Sequence, residues 1–505
     1  MKSITFITPV VSRTLLGLFL SCVLAYPLAH AQPWIPPGDL ALRHDLQLLA
    51  DSGIIKAPIN AWPLSWGDIA RDIGRVDPAA ELNVNQQLAL ERLRSRAEVA
   101  TRGRKIGGSV RASVAEDGRI LRTFEDTPRE EAELTGGFNW TGDRFAANLQ
   151  VTAVEDPSDD KDIRFDGSYF GVALGNWMIS ANAMDRWWGP GHEGSLILSN
   201  NARPIPAISF QRNYSRPVDI NRLRWVGPWT AQIIYGFLEE DRAVPNAHFV
   251  GMRLGFRPIP KLEVGLSRTA QWCGDGRPCD LDTFLELLSG IRDNIKDPDT
   301  RQGDPGNQLA GYDLRYAQDI LGRSYAIYAQ MIGEDEAGGL PSQYLGMIGL
   351  ETNGHFERLR MGFRIHAEWA DTRCGGVSDT SPALRCAYNH GTYRTGYRYR
   401  GRVIGHAAEG DGLMFSLGGL FVSESGNSWN ALARRVVLNL GNDPRNTIVS
   451  EKTEVLNLEL SHKHTFRFGE MDFGVGYDWT EDKMTGAKDN DARGFVQWRW
   501  SPVWK

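Results

Sequence analysis

Apart from one run near its start, the 505-residue chain has no long apolar stretch. Beyond residue 31 there is no window of roughly 18 uninterrupted apolar residues, and the mean hydropathy is -0.34, which excludes membrane crossing by helices. Charge of one sign is also missing. With 56 basic and 62 acidic residues the net is -6, so no basic footprint for nucleic acid exists. No glycine-rich phosphate loop, dinucleotide fingerprint or metal-ligand cluster is present, so neither a cofactor nor a metal is expected. Cysteine is scarce. Cys22 falls in the early apolar run, and the remaining four form two local groups, Cys273 with Cys279 and Cys374 with Cys386. Three connectivities are open to four cysteines, and the short separations favour 273 to 279 and 374 to 386 as disulfides. The spacings do not match the common zinc ribbons.

The early run is itself informative. Lys2 and Arg13 precede LLGLFLSCVLAYPLA, and the small residues Ala29 and Ala31 flank His30, the layout of a secretory signal over residues 1–31. A mature start near Gln32 is therefore expected, in an oxidising compartment where disulfides persist. Periplasm, outer membrane and medium remain as destinations.

Two textures follow. Residues 32–104 read as a small helical subdomain. In GDLALRHDLQLLADSG, Leu42, Leu46 and Leu49 share a helical face and Gly53 stands at a C-terminal cap position. SWGDIARDI offers Ser65 as N-cap and Asp68 as its capping-box partner, and NVNQQLALERLRSRAEVA is rich in helix formers. From 105 to 505 the pattern has period two. In RLRMGFRIHAEW, Leu359, Met361, Phe363, Ile365, Ala367 and Trp369 alternate with Arg358, Arg360, Gly362, Arg364, His366 and Glu368. Strands of roughly 9 to 11 residues, apolar on one face, are what a tilted strand needs to cross an outer membrane.

Loop lengths supply an independent reading, since outer-membrane barrels alternate short periplasmic turns with long external loops. With the helices periplasmic and the first strand running outward, turns at 141–143, 175–176, 227–228, 257–260, QDILGR, NGHFE and SESGNS fall inside. The long segments 272–306, 371–410, 441–452 and 480–492 fall outside. This alternation requires residues 187–219 to be one insert without a wall strand. It predicts an all-β transmembrane barrel of about 18 antiparallel strands with a periplasmic α-helical bundle.

DRWWGPGHEGSLILSNNARPIPAISFQR, at 185–212, and PGNQLAGYDLRYAQ, at 305–318, resemble the capsule assembly Wzi family. The helical start and barrel-like remainder extend that resemblance over nearly the whole mature chain. It implies an outer-membrane barrel of eighteen strands with a periplasmic helical bundle, acting as a surface lectin that helps attach capsular polysaccharide. The external loops do not match residue by residue, so the resemblance leaves the glycan open.

Sugar-binding candidates follow from residue chemistry. Trp187 and Trp188 offer indoles for stacking on a sugar ring, against an aromatic-girdle role; adjacent strand residues point to opposite faces, so at most one can face lipid. Ser199, Asn200, Asn201 and Arg203 offer amides for hydroxyls and a guanidinium for a carboxylate, against a turn braced by Arg203. Arg358, Arg360, Arg364, His366 and Glu368 form an expected lumen-facing ladder, either attracting an acidic glycan or making an internal ion-pair network. His192 and Ser195 are too close in sequence, and too short of a third partner, to mark a hydrolase, and no enzyme is expected. The expectation is a lectin-like barrel with surface polysaccharide and outer-membrane lipid as partners, and the helical region as a contact for a periplasmic assembly partner. A diffusion channel is the alternative.

Overall fold

Alternating apolar and polar residues from 105 onward can satisfy every backbone group inside hydrocarbon only if the strands close on themselves. The structure, a computed structural model, describes residues 34–101, 105–116, 118–289, 306–320, 323–334, 336–337, 340–341, 343–375, 381–501 and 503–504. The expected leader at 1–31 and part of the 272–306 loop lie outside these residues.

The wall strands are Lys105–Ala115 (β1), Ala132–Thr141 (β2), Phe145–Glu155 (β3), Ile163–Arg164 with Tyr169–Leu174 (β4), Trp177–Asn182 (β5), Ala207–Arg212 (β6), Trp229–Phe237 (β7), His248–Ile259 (β8) and Leu262–Trp272 (β9). They continue with Gly306–Ile320 (β10), Arg323–Gly333 (β11), Tyr344–Phe356 (β12), Met361–Gly375 (β13), Leu413–Ser423 (β14), Ser428–Leu438 (β15), Thr453–Phe466 (β16), Gly469–Asp482 (β17) and Lys488–Trp500 with Val503–Trp504 (β18). Each pairs antiparallel with its neighbours, and β18 closes on β1 with Val496 opposite Val114 and Trp498 opposite Ala112. The eighteen-strand barrel expected from the loop lengths is present among the described residues.

Strand β13 shows the wall's logic. Outward Ile365 and Trp369 are 37% and 44% exposed, whereas inward Arg364, His366 and Glu368 are 2%, 6% and 1% exposed. Leu134, Phe138, Leu254, Leu350, Leu417 and Leu458 likewise point outward and exposed. Each such half-exposed side chain left in water forgoes about 1 kcal/mol of burial, so the band as a whole is built for a bilayer. The polar interior is filled rather than open.

Three differences from the sequence reading concern the wall. Residues 187–219 are not strand-free, because β6 lies within them and pairs with both β5 and β7. Its signal is weak: only Ile208 and Phe210 face outward, between Pro204 and Pro206 and the polar residues beyond. The insert proper is thus 183–206. Correspondingly, the turn expected at 227–228 is a sixteen-residue connection, 213–228, containing a 3-10 helix at Asn221–Val226. Finally, β17 and β18 extend into the segment expected as a long loop at 480–492, leaving only 483–487 between them.

The helices are Leu40–Asp51 (α1), Trp66–Ile73 (α2), Val84–Thr101 (α3) and, in a long loop, Leu281–Ser289 (α4). Asp39 caps α1 by accepting from Leu42 N at 2.9 Å. The capping box expected for α2 does not form: Ser65 Oγ donates to Asn213, and Asp68 accepts from Ser215 N at 3.0 Å. Nor are the helices an appendage. Eleven of the twelve α1 residues are buried, including Arg43, His44, Asp45, Gln47 and Asp51. Polar positions that look solvent-facing in sequence meet charged wall residues inside the barrel mouth where the tight turns lie.

Candidate functional site

Three layers close the lumen. At the tight-turn end an apolar layer joins Leu46 and Leu49 of α1, Ile69 of α2 and Leu90 and Leu93 of α3 to Trp62 and Trp187. At the long-loop end a second apolar layer joins Leu196, Ile197 and Leu198 of the insert to Tyr388, Tyr397 and Ile404 of the 381–412 loop and to Tyr328 and Met347 of the wall. Between them sits a buried hub of charged groups.

The insert enters the lumen because its backbone finds partners there. Trp187 and Trp188 pair with Trp62 and Ala61 as a two-residue ladder. Both tryptophans are fully buried, so neither the lipid girdle nor an exposed sugar platform describes them. Alternation along a continuing strand cannot apply, since β5 ends at Asn182 and the chain turns inward. Phe124 stands edge-on to Trp187 and Trp62 at 5.3 and 5.1 Å, with the Arg43 guanidinium 4.3 Å from its ring centre. Trp188 Nε1 donates to Gln232 at 2.9 Å, while its carbonyl accepts from Ser195 Oγ at 2.5 Å and Gln330 Nε2 at 2.8 Å.

The SNNARP residues are also braces. Ser199 Oγ donates to Gly405 O at 2.6 Å, Asn201 Nδ2 to Val403 O at 2.9 Å and Asn200 Nδ2 to Phe124 O at 3.3 Å. Arg203 grips Asp166 with two 2.8 Å bonds and also reaches Asp159. Its partners are carboxylates of this chain. The disulfides join Cys273 to Cys279 and Cys374 to Cys386, with Cα separations of 4.8 and 5.9 Å.

Only part of the expected ladder exists. Arg358 and Arg360 lie in the exposed turn before β13, where Arg360 meets Glu424 at 2.6 Å. The reading overran the strand by one turn. Arg364, His366 and Glu368 do face inward and anchor the hub. Glu351 accepts from His192 Nε2 at 2.5 Å and Arg364 at 2.7 Å, and it also holds Arg315, which binds Asp51 of α1. Glu368 accepts from His192 N at 2.8 Å and Tyr328 OH at 3.0 Å. His366 bonds Glu193 at 2.9 Å and stacks on His192 at 4.3 Å. Arg43 Nη2 donates to the carbonyls of Pro190 and Gly191, each at 2.8 Å. Insert, helix and wall therefore share one ion-paired centre.

Burial, with the charges of His366 and Arg43 nearby, holds His192 well below its ordinary pKa, and burial with Arg364 and Arg92 does the same to His44. A cavity of about 20 Å³ beside them leaves room for about one water. Arg43 Nε and Nη1, His44 Nε2, Gln47 Oε1 and Arg364 Nη2 are buried there without a hydrogen-bond partner among the described residues. His192 and Ser195 do not engage each other, and Ser195 is fully buried.

Within the 381–412 loop, the charged side chains that reach solvent are basic. Arg385 and Arg394 are exposed and Arg402 half-buried, whereas the loop's acids, Glu409 and Asp411, are buried. Glu409 accepts from Arg398 at 2.6 Å, and Asp411 from Arg385 N at 2.7 Å. The guanidiniums of Arg385 and Arg402 bond carbonyls of Gly441, Asn442, Arg119 and Ile120, with Asp411 near the first and Glu409 near the second. The loop is pinned by tyrosines: Tyr388 OH donates to Leu196 O at 2.7 Å and Tyr397 OH to Ile197 O at 2.8 Å. Sequence reasoning missed these arginines and tyrosines, although the run YNHGTYRTGYRYRGR at 388–402 displays all of them but Arg385. It also missed Glu351, Arg315 and Asp51, whose meeting depends on contacts across the lumen.

The family profile described as capsule assembly protein Wzi matches residues 101–495. An uncharacterized 55.8 kDa protein in the cps region of Klebsiella pneumoniae is 31% identical over 457 residues, covering 90% of this chain and 84% of that protein. A solved structure is also similar, that of Wzi, an outer membrane protein involved in group 1 capsule assembly in Escherichia coli and described as a carbohydrate-binding β-barrel. It superposes with a TM-score of 0.80 at 27% identity, covering 92% of this chain and 98% of that one. With its eighteen-strand wall and a family match spanning most of the barrel, the chain belongs to the capsule assembly protein Wzi family.

Proposed function

We propose that this chain is an outer-membrane barrel with its long loops at the cell surface and α1–α3 facing the periplasm, and that it holds acidic capsular polysaccharide on the loop face. The observation that carries the reading is the pairing of a closed lumen with the arginine-bearing 381–412 loop above it. The similar Escherichia coli barrel is described as carbohydrate-binding, and the Klebsiella relative lies in a cps region. Arg385, Arg394 and Arg402 suit carboxylates or pyruvate ketals repeated along a polymer. Many weak contacts summed over repeats give avidity without a deep pocket. Exposed Glu91 and Arg94 on α3 would meet a periplasmic assembly partner in the same orientation.

The test is binding of the purified barrel to the host's own capsular polymer, with neutral dextran as control. Saturable binding that weakens with salt and with Arg385→Gln, Arg394→Gln and Arg402→Gln together is expected. If the host polymer binds no better than dextran, the reading fails. A diffusion channel is the alternative, and the two apolar layers favour little steady conductance in a planar bilayer; large single-channel steps would reverse that choice.

A further inference from the structure

The connection 213–228 is anomalous for its end of the barrel. Its neighbours there, between β4 and β5 and between β8 and β9, take two residues each, whereas this one takes sixteen. It is fixed at both ends: Asn213 N donates to Asn176 O at 2.9 Å, Ser215 N to Asp68 at 3.0 Å, and Arg257 N to Pro228 O at 2.9 Å. Gly227 has φ +66, and a Cβ there would lie 2.0 Å from Arg257 O. A segment so tightly held nonetheless leaves Ile220, Leu223 and Trp225 56%, 41% and 62% exposed.

Those side chains are continuous with the apolar wall. Trp225 stands edge-on to Phe256 at 6.0 Å, and Phe256 pairs in register with Trp229 on the outward face. The Arg212 guanidinium lies 3.7 Å from the Trp229 ring centre. Charge is one-sided: residues 212–228 carry Arg212, Arg216, Arg222 and Arg224 against Asp219 alone. Asp219 is fully solvated and stands 3.5 Å from Arg224, too weak a pairing to cancel the field. Apolar side chains flanked by cations, level with the edge of a hydrocarbon band, match the boundary between acyl chains and acidic headgroups.

We propose that residues 216–226 are an interfacial anchor, seating Ile220, Leu223 and Trp225 in the bilayer boundary and gathering acidic phospholipid through Arg216, Arg222 and Arg224. This rests on the barrel lying in a bilayer, as proposed above. The anchor adds a lipid preference that the wall strands alone do not provide.

The test uses the full-length protein with Cys22→Ser and Leu223→Cys, labelled with an environment-sensitive fluorophore and folded into phosphatidylethanolamine vesicles with or without phosphatidylglycerol. The label should emit to the blue of its value in water and be quenched by lipids brominated near the headgroup, more strongly with phosphatidylglycerol. Each arginine replaced by glutamine should lower the enrichment of acidic lipid about fivefold, the equivalent of about 1 kcal/mol per cation near an anionic surface. A water-like emission at position 223, or a phosphatidylglycerol preference that survives Arg216→Gln, Arg222→Gln and Arg224→Gln together, overturns the inference. A second label, at Leu458→Cys on the lipid-facing side of β16, separates the failures. If it reports lipid while position 223 reports water, only the anchor is wrong; if both report water, the barrel is not in the bilayer.

Discussion

Acid should loosen this barrel, and the structure sets the direction of the effect and the groups that carry it. His44, His192 and His406 are buried outside the wall strands; burial holds the first two well below the ordinary value of 6.5 and pushes His406 down to about 4. A histidine with a depressed folded pKa stays neutral while the unfolded chain takes up its proton. Stability is therefore fully present above 6.5 and falls as pH drops below it. Asp68 acts oppositely. Burial pushes it up to about 6 despite the nearby Arg71, so between that value and 3.8 the folded state alone binds the proton and gains stability on acidification. From about pH 7 to about pH 5 His406 costs about 2 kcal/mol and Asp68 returns about 1, while His44 and His192 add to the loss in the same direction. Urea denaturation in lipid vesicles, followed by tryptophan emission and electrophoretic heat modifiability, measures the change. Variants isolate the cause: His192→Gln and His406→Gln should each flatten the dependence below the ordinary histidine value, His406→Gln by about 1 kcal/mol per pH unit. An unaltered pH dependence in both variants would refute the assignment of neutral buried imidazoles.

Two further outcomes follow from the packed interior. Glu351→Ala removes the acceptor shared by His192, Arg315 and Arg364, and leaving buried cations uncompensated should cost about 3–5 kcal/mol in the same urea assay. Trp188→Ala opens a void between the insert and the wall, costing about 3–5 kcal/mol, and should raise current noise in planar bilayers while leaving polymer affinity unchanged.

The wall was legible because its physics is local. Phe363, Ile365 and Trp369 alternate with Arg364, His366 and Glu368, and a period of two needs no knowledge of neighbours. The short strand β6 was not legible, because two outward apolar residues between prolines give too brief a signal. Trp187 and Trp188 were misplaced for a different reason. Their partners, Trp62 and Ala61, lie in the helical region, and nothing in DRWWGPG itself reports that pairing. The same holds for Asp51, Arg315 and Glu351, each an ordinary polar residue until the barrel closes around α1. Arg360 shows how an apolar-polar rhythm can run past a strand's end into a turn.

The disulfide between Cys374 and Cys386 acquires a mechanical meaning when the loop face bears a load. A polymer pulling on Arg394 or Arg402 would transmit tension along the chain toward β13. Unbridged, the residues between the two cysteines could pay out roughly 3.5 Å each before the wall felt the force. The bond shorts that slack directly to Cys374 at the end of β13, whose eleven-residue pairing with β14 resists extraction in shear. On the other side of the loop, Tyr388 and Tyr397 hand part of the force to the insert. A capsule strand held there would tug on the whole cylinder at once.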